Sequence, residues 1–597
     1  MYTMKNIVKY IAIPALMASL TACDDLFEPA IENIKQPTTM ESEAKYADNI
    51  LGSAYILMPY PSGSESDVAT DDAVSNDISN AYLSMATGSW TSQTGQSVNN
   101  WRDRNASIQY CNLFLEHADN VPFAPSNETI NNMLRDRLKG EAYGLRALNM
   151  YYLLQNYAGK AENGEFLGVP IWKTPFDATS DMNVPRASFQ ECLTSLLEDA
   201  DEAAKLLPLD YVDLSGNNQL PAAYAALGVD YMDYNRVFGS TCWGRMSGRI
   251  IQAIRAQVSL LAASPAFNGA SDIDWAKAAD YAAVVIDNNG GVAGLAPKGH
   301  IWYSAEVVAN NSYDKSNDAE IIWRGGYEEN SSLEADNFPP SLYGKGRVNP
   351  SQNLVDAFPM ANGYPISNSN AQYDAAHPYA NRDPRLAHYI VTDGSTLGVN
   401  NSTINTGTDA SNNDGINKET GYSTRTGYYM RKHLRTDVNP NSTNEVKKYH
   451  YTKRIRFTEI YLAYAEAANE AWGPKATGSH AYSAYDVIKA IRQRAGLCEG
   501  TTDAYLEECA ASKDKMRELI RNERRLELCF ENIRFWDLRR WQAPLTETAK
   551  GVQVGNHSTT YNYIDVEPRR YQDYMIYGPL PYSDVIKFSN LVQNQGW

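Results

Sequence analysis

The chain has 597 residues, 43% of them hydrophobic, and its formal net charge is −18 at pH 7. This length can bury a large core, either in one unit or in several domains. So acidic a chain is repelled by nucleic-acid phosphates and by anionic lipid surfaces, which excludes both as general partners.

The N-terminus has the pattern of a bacterial export signal. An apolar run over residues 11–18 follows two lysines and is too short to span a bilayer as a helix. Residues 20–23, LTAC, resemble the lipobox of bacterial lipoproteins, in which the cysteine is lipidated. We therefore predict a signal peptide over residues 1–22, a lipid anchor on Cys23 and a tether that continues to residue 40. The membrane would be reached through this anchor only.

The remaining cysteines and the histidines show no metal-site spacing. Neither C-x-x-C nor H-E-x-x-H occurs, and the eight histidines are scattered. A free cysteine behaves as a small buried hydrophobe. We therefore predict no metal site and six unpaired core cysteines, which are Cys111, Cys192, Cys242, Cys498, Cys509 and Cys529.

Helical periodicity recurs on both sides of two long polar segments. The predicted helices cover residues 41–58, 104–118, 131–157, 188–207, 247–264, 275–288, 457–472 and 481–495. The interrupting segments, 62–100 and 291–450, are rich in Ser, Gly and Asn, which is typical of loops. Alanines at positions 463, 465 and 467 permit the close approach of stacked helices. The prediction is a mainly α fold, with a scaffold of about four helical hairpins and a loop-rich, β-poor second lobe inserted between them.

The stretch 522–541, NERRLELCFENIRFWDLRRW, has the most distinctive pattern. Its apolar residues recur at helical spacing, which predicts one helix with one apolar stripe. Its charges stand three residues apart in pairs of opposite sign, so the pattern alone favours a salt-bridged structural helix. These pairs are Glu518 with Arg521, Arg524 with Glu527, Glu531 with Arg534 and Asp537 with Arg540.

The same stretch closely resembles the C-terminal signature of the SusD/RagB-like family, surface lipoproteins that sit over outer-membrane nutrient transporters. The matching residues are Arg524, Arg525, Glu527, Leu528, Glu531, Arg534, Asp537, Leu538, Arg540 and Trp541. Asn532 stands where the family usually has glycine, and asparagine also adopts left-handed backbone, so a helix break is expected there. Residues 140–159 and 459–473 resemble the family's tetratricopeptide-like repeats, and residues 383–385 and 593–597 resemble two of its shorter motifs.

The resemblance implies both an organisation and a function. A region with tetratricopeptide-like helices is expected over residues 41–290, an insertion lobe over 291–452 and the C-terminal region over 453–597. The expected function is to capture an oligosaccharide or polysaccharide as the lid of a SusC-like TonB-dependent β-barrel transporter. Acidic residues after the lipobox, Asp24, Asp25 and Glu28, resemble the signal that directs such lipoproteins to the exterior of the outer membrane.

Candidate ligand residues follow from sugar chemistry. Sugars stack on Trp and Tyr rings and hydrogen-bond to Asp, Asn and Arg side chains, and loops on a rigid scaffold are suited to carry such groups. The resemblance implies a site built from the two long polar segments. The candidates are Asp71, Asp72, Trp90, Asn100 and Trp101 in the first segment and Trp302, Tyr303, Trp323, Arg324, Tyr327 and Tyr343 in the second. The alternative for each aromatic is packing within the lobe, above all for Trp323, which follows two isoleucines.

Other functions stay open. An acidic, Tyr-rich cleft suits cationic peptides as well as sugars, and some family members carry peptides. A surface glycosidase is the second alternative, because its pair of carboxylates is defined by separation in space and cannot be recognised among 71 acidic residues. No catalytic motif is present, and the resemblance implies binding without catalysis. No cofactor is expected, while a structural calcium ion stays open.

Overall fold

The described part of the chain begins after the predicted signal peptide. The residues that the computed structural model describes are 35–60, 66–94, 100–177, 179–308 and 318–597. Cys23 lies outside these ranges, so its lipidation stays a prediction. Within them, no helix has the length and apolarity that crossing a membrane requires.

The first half of the chain is helical and builds most of the scaffold. Its helices are α1 (Ala44–Ile56), α2 (Ala81–Ser84), α3 (Trp101–His117), α4 (Glu128–Tyr157), α5 (Phe189–Leu206), α6 (Ala222–Ala226), α7 (Tyr231–Phe238), α8 (Gly248–Ala263) and α9 (Trp275–Asp287). Helix α4 packs between α3 and α5, and α8 packs against α5 and α9. Gly144 in α4 permits this close packing, because a Cβ there would lie 2.4 Å from the Met246 side chain. The long predicted helices are all found, whereas α6 and α7 were not predicted.

The second half of the chain supplies the last scaffold helices and the lobe. Its helices are α10 (Ala305–Val308), α11 (Ser332–Asn337), α12 (Gln352–Ala357), α13 (Pro384–Tyr389), α14 (Phe457–Trp472), α15 (Ala484–Arg494), α16 (Ala504–Cys509), α17 (Lys513–Glu527), α18 (Arg534–Arg540) and α19 (Tyr582–Lys587). Helix α14 contacts α8, α9, α15 and α17, so it is buried over residues 457–469. The stack of tetratricopeptide type confirms the predicted mainly α fold.

The strands of the described residues form antiparallel pairs and no larger sheet. They are β1 (Ala73–Ser75), β2 (Gly159–Lys160), β3 (Phe166–Leu167), β4 (Ile321–Asn330), β5 (Val348–Pro350), β6 (Ile390–Val391), β7 (Thr396–Leu397), β8 (Ser402–Thr403), β9 (Tyr429–Met430), β10 (Lys448–Arg456), β11 (Ala549–Gly555) and β12 (Thr560–Glu567). The pairs are β1–β5, β2–β3, β4–β10, β6–β9, β7–β8 and β11–β12. The β4–β10 ribbon joins the two ends of the lobe and leads directly into α14.

The described part of the molecule has two large hydrophobic cores. One lies among the scaffold helices, and the other lies in the lobe and includes Val68 and Ala73 from the first polar segment. All six described cysteines are free and buried, which confirms that prediction. Residues 66–76 of the first polar segment are buried and so belong to the packed fold, whereas residues 78, 79 and 87–89 are exposed.

The prediction of one continuous helix over residues 522–541 is wrong. Helix α17 ends at Glu527 and α18 begins at Arg534. Between them, Phe530 and Asn532 both have a φ angle of 61°, which confirms the expected break at Asn532. The apolar residues do not form one stripe: Leu519 packs in the scaffold core, whereas Phe530 packs in the lobe core.

The predicted local charge pairs are also mostly wrong. Only Asp537 and Arg540 form an ion pair with each other in the described structure, at 2.8 Å. The other charged residues of the signature turn away from their neighbours in sequence and bind residues on distant elements. The break between Glu527 and Arg534 separates Glu531 from Arg534, so these two residues do not share a helix face. Arg524 and Glu527 both lie in α17 but bind Asp537 and Arg385 instead.

Candidate functional site

A buried ionic network joins the scaffold to the lobe at the end of α17. The Glu527 carboxylate lies 3.1 Å from Arg385 and 3.5 Å from Arg456, and it also binds Arg494. Burial acts to raise the pKa of Glu527, but the charges of Arg494, Arg456 and Arg385 outweigh it and hold this pKa well below its usual range. Glu527 is therefore a permanent anion that fixes three cations from three elements.

The network continues to the segment between α17 and α18. Glu531 binds Lys432 at 2.7 Å and Lys453 at 2.9 Å. Arg456 binds Glu531 at 2.9 Å and Glu320 at 2.7 Å. The other members on the acidic side are Asp383, Glu523 and Asp503, and those on the basic side are Arg385, Arg492 and Arg494. Acids and bases balance, so burial of the network leaves no uncompensated charge.

A second ionic cluster fastens the first polar segment to the signature. Arg525 lies 2.9 Å from Asp71 and 2.6 Å from Asp72, and Arg534 lies 2.9 Å from Asp71. Burial acts to raise the pKa of Asp71, but the charges of Arg525 and Arg534 hold it well below its usual value. Both carboxylates are buried. Arginines bind both carboxylates in this structure, and ligand contact by Asp71 and Asp72 stays a prediction.

Asp67 fixes the unusual backbone of the break between α17 and α18. Its two carboxylate oxygens accept hydrogen bonds from the amide nitrogens of Phe530 and Asn532, at 3.1 and 2.9 Å. In return, the Asn532 side chain accepts a hydrogen bond from the backbone nitrogen of Ser66 at 2.8 Å. Burial raises the pKa of Asp67 to about 7, although the two amides act to lower it.

We expect Asp67 to make folding stability depend on pH. Its pKa is raised in the folded state, so its contribution is complete below pH 4 and is lost as the pH rises towards 7. Asparagine removes one acceptor at every pH but cannot ionise. The stability advantage of the native protein over Asp67→Asn should therefore shrink between pH 4.5 and 7.5, by at most about 1.4 kcal/mol per pH unit.

Chemical denaturation at the two pH values tests this expectation. Asp77→Asn is the matched control, because hydrogen bonds from Ser79 lower the pKa of Asp77 and its contribution is lost only as the pH falls below 4. Its stability difference from the native protein should be equal at pH 4.5 and 7.5. An Asp67→Asn difference that is also constant would contradict the expected titration.

A cleft of about 970 Å³ is lined by residues of both the scaffold and the lobe, and Glu531 and Lys453 of the ionic network border it. Its floor is the segment 530–533 together with Trp536. Its aromatic lining is Tyr60, Tyr82, Tyr151, Tyr152, Trp302, Tyr303, Tyr451, Phe530 and Trp536, and its amide lining is Asn80, Asn100, Gln155, Asn156, Gln257, Asn330 and Asn337. The volume is at the upper end of the range for small-molecule sites, and the lining can stack on rings and hydrogen-bond to hydroxyls.

Aromatic and cationic side chains form the wall where the scaffold meets β4 and β10. Tyr60 contacts Tyr152 and Trp323 edge to face, with ring centroids 5.8 and 5.5 Å apart. The Arg454 guanidinium lies 4.8 Å from the Trp323 ring and 5.8 Å from the Tyr60 ring. Each side chain is thereby held in a defined orientation, so the wall is formed before a ligand arrives.

The predicted ligand residues divide between the cleft and the core. Asn100, Trp302 and Tyr303 line the cleft. Trp323 is buried and donates a hydrogen bond from its ring nitrogen to the Gly244 carbonyl at 2.9 Å, as its alternative assignment to the core predicts. Arg324 is buried beside it, with its guanidinium 4.2 Å from the Trp243 ring.

Four further candidates lie outside the residues that line the cleft. Trp90 is buried in a small aromatic core, and Trp101 contacts Tyr157 edge to face on the scaffold. Tyr327 stacks on Tyr449 with a centroid distance of 4.6 Å. Tyr343 is exposed at the end of a short turn. Trp90, Trp323 and Arg324 are buried by packing, and ligand contact at these positions stays a prediction.

Several cleft residues were not predicted. Tyr152 and Gln155 lie in α4, where the sequence indicates only a scaffold helix. Trp536 was assigned to an apolar stripe, yet the turn at Asn532 brings it to the cleft floor. The pair Tyr151 and Tyr152, followed after two leucines by Gln155, is the signal in α4 that could have indicated Tyr152 and Gln155.

The described residues contain no group of three or more His, Cys, Asp and Glu side chains placed to hold a metal ion. His433, at the cleft, is committed to the fold: its ring nitrogen donates to the Phe530 carbonyl at 3.0 Å, and burial lowers its pKa to about 3. That the protein uses no cofactor therefore stays a prediction, and a structural calcium ion stays an open alternative.

Two family models match the chain. Residues 298–597 match the model described as the SusD family. Residues 30–231 match the model described as starch-binding associating with outer membrane. The two matches leave residues 232–297 uncovered, so the scaffold helices α8 and α9 lie outside both of them.

Two curated relatives come from Formosa agariphila. SusD-like protein P25 is 26% identical over 345 residues, which are 51% of this chain and 57% of that protein. SusD-like protein P2 is 29% identical over 142 residues, which are 24% of each protein. The matched segments thus span about a quarter of one relative and somewhat more than half of the other.

Solved structures with the same fold come from Bacteroides. A SusD-like protein of Bacteroides fragilis has a TM-score of 0.68 at 22% identity, over 94% of this chain and all of that one. A SusD-like carbohydrate binding protein of the same species has a TM-score of 0.66 at 21% identity, over 92% and 99%. The surface glycan-binding protein A of Bacteroides fluxus has a TM-score of 0.55 at 17% identity, over 93% and 100%. At these identities the likeness shows the fold.

Proposed function

The chain belongs to the SusD family, and from this membership and the cleft between scaffold and lobe we propose that the protein captures a glycan at the bacterial surface. The observation that carries the proposal is the cleft itself, about 970 Å³ in volume and lined by aromatic rings and side-chain amides. Tyrosine and tryptophan faces stack on sugar rings, and amides donate to and accept from hydroxyls. An oligosaccharide or polysaccharide is the ligand that this chemistry fits best.

The captured glycan passes to a membrane transporter. The protein acts as the lid of a SusC-like TonB-dependent β-barrel and is held at the outer membrane, facing outward, by lipid on Cys23. Support comes from the lipobox-like residues 20–23 and from a family model whose description includes association with the outer membrane. Affinity purification from solubilised outer membrane should recover a large β-barrel protein. If no β-barrel protein is recovered, the proposed role as a transporter lid is wrong.

Glycan capture is testable by retention on immobilised polysaccharides. Trp536→Ala and Tyr82→Ala each remove a half-buried aromatic from the cleft, and we expect each to weaken binding about tenfold or more, since interface aromatics contribute most of the affinity in such sites. Tyr343→Ala is the matched control, because Tyr343 is 60% exposed and lies outside the cleft lining. If both cleft variants bind the polysaccharides as tightly as the native protein does, the glycan binds outside the cleft.

A peptide is the second candidate cargo. Asp77, Glu328 and Asp336 line the cleft and are not buried, so they can attract a cationic peptide. Two of them already have a cation nearby: Lys345 lies 3.0 Å from Asp336, and Arg347 lies 3.9 Å from Asp77. This pairing reduces the negative charge available to a cationic peptide, so it favours a glycan over a peptide. A competition experiment, in which peptide and glycan libraries are offered to the same protein sample, shows which of the two cargoes it binds.

Binding proceeds without catalysis in this proposal. The buried carboxylate Glu531, on the cleft floor, is held by three cations and has no proton to give. Incubation with the same glycan panel should leave every chain length unchanged. Any shortened product would restore the glycosidase alternative.

A further inference from the structure

The inner end of the cleft contains two buried oxygen atoms that lack hydrogen-bond donors. Gln257 donates from its side-chain nitrogen to Glu459 Oε1 at 2.7 Å. This bond fixes the orientation of the Gln257 amide and leaves Gln257 Oε1 and Glu459 Oε2 as acceptors without a partner. An unsatisfied buried acceptor costs free energy, so these two oxygens favour a ligand group that donates hydrogen bonds.

The two residues lie where the cleft meets a smaller cavity. Both line the cleft, and both line a cavity of about 50 Å³ among the scaffold helices. Gln155 and Trp536 also border both spaces. A ligand in the cleft can therefore reach Glu459 with a small terminal group, although the side chain is buried and only 4% of Glu459 is exposed.

The Glu459 carboxylate is also without a protein cation. Among the described residues, no Lys, Arg or His nitrogen lies within ion-pair distance of it, whereas Glu531 on the cleft floor binds three cations. The Arg524 guanidinium binds the Asp537 carboxylate at 2.7 Å and donates to the backbone carbonyl of Glu459 at 3.4 Å, and the Arg454 guanidinium stacks on Trp323. A buried carboxylate without a counter-charge is costly, which makes a cation the donor that best fits.

Tyrosine rings line the same space as this carboxylate. Tyr60, Tyr151 and Tyr152 line the cleft together with Glu459, and Tyr151 also lines the small cavity. Aromatic ring faces attract cations, and more strongly where water is excluded. A carboxylate, an amide oxygen and tyrosine rings together are the surroundings that a protonated amine requires.

We propose that Glu459 and Gln257 bind a protonated primary amine of the captured ligand, and that the ligand is a glycan containing an amino sugar. The inference rests on the proposed capture of a glycan in the cleft and names its chemical class. Glu459 neutralises the ammonium charge, and both free oxygens accept its hydrogen bonds. A neutral sugar hydroxyl at the same place leaves the charge of Glu459 uncompensated.

The test compares three glycans that differ only in the substituent at carbon 2 of each sugar ring. Isothermal titration of purified protein at pH 5.5 uses the hexasaccharides of chitosan, with free amines, of chitin, with acetylated amines, and of cellulose, with hydroxyls. We expect chitosan hexasaccharide to bind about tenfold more tightly than the other two. Glu459→Gln keeps the acceptor for Gln257 and removes the charge, so it should abolish this preference. Glu329→Gln is the matched control at an exposed carboxylate outside the cleft lining and should keep it.

The pH provides a second readout that does not depend on a variant. Chitosan amines lose their protons between pH 5.5 and 8, so the affinity of the native protein for chitosan hexasaccharide should fall over this range. The affinity for cellulose hexasaccharide should not fall with it. Thermal unfolding of Glu459→Gln establishes that the variant is folded before its binding is interpreted.

The outcomes separate this inference from glycan capture itself. Equal binding of the three hexasaccharides, or a preference for chitosan that survives in Glu459→Gln, overturns the amine site. Glycan capture in the cleft is still supported in that case if Trp536→Ala loses its retention on polysaccharides. Failure to bind any glycan of the full panel removes the proposed function and the inference with it. Binding of a lysine-containing peptide that depends on Glu459, without binding of chitosan, overturns the amino-sugar assignment and gives the site to peptides.

Discussion

Replacement of Glu527 by alanine is expected to lower the free energy of unfolding by about 3–5 kcal/mol or to prevent folding. The substitution leaves Arg385, Arg456 and Arg494 buried with one carboxylate fewer, and the cost of a buried charge without its partner exceeds that of most single substitutions. Chemical denaturation monitored by tryptophan fluorescence measures the effect. Native gel mobility at low temperature shows whether the variant folds at all.

Glu518→Ala is the matched control for this experiment. Glu518 lies on the same helix, α17, and is exposed, so its removal should change stability by no more than about 0.5 kcal/mol. Equal small losses for Glu518→Ala and Glu527→Ala would mean that the ionic network contributes little to the joint between scaffold and lobe. A large loss restricted to Glu527 supports its role as the centre of that joint.

The two ionic clusters give the signature a physical meaning. Arg525 and Arg534 bind the first polar segment, while Glu527 and Glu531 bind the lobe and its ribbon. The same short segment then turns at Asn532 and forms the cleft floor. Because one segment both joins the parts of the molecule and borders the ligand space, the geometry of the cleft depends on these buried charges.

The scaffold was predictable because its information is local. Helix α14 was predicted over Phe457–Trp472, and the structure has the same bounds. An amphipathic period and small residues at contact positions suffice to define such a helix. Short helices such as α6 and α7 were missed because they contribute only to a small satellite core and their apolar period is correspondingly brief.

The candidate site was less predictable because its contacts join distant parts of the chain. Asp71 binds an arginine 454 positions later, and its residue type alone is equally compatible with a sugar contact. Periodicity also fails at the signature, where Phe530 and Asn532 adopt left-handed backbone and redirect Trp536. Asn100, Trp302 and Tyr303 were placed correctly near the cleft by region, but their contact with a ligand stays a prediction.

Replacement of Trp90 by alanine is expected to reduce stability by about 3–5 kcal/mol and to leave glycan affinity unchanged in the folded fraction. Trp90 is only 3% exposed. Its ring contacts those of Trp597 and Phe535, with centroids 4.9 and 5.9 Å away, and the Arg539 guanidinium lies 5.0 Å from it. Loss of the indole leaves a cavity in the small core that joins the C-terminus to α18.

This expectation opposes the one that the sequence alone supports, since a tryptophan in a polar segment is typical of a sugar-stacking residue. Parallel measurement of denaturation and of polysaccharide retention separates the two roles. Tyr343→Ala, at an exposed aromatic, should change stability by no more than about 0.5 kcal/mol. If Trp90→Ala keeps native stability but loses retention on polysaccharides, the Trp90 ring of the native protein must instead turn outward and contact the ligand. The contacts with Trp597, Phe535 and Arg539 oppose such a movement, because each would have to break before the indole could leave its core.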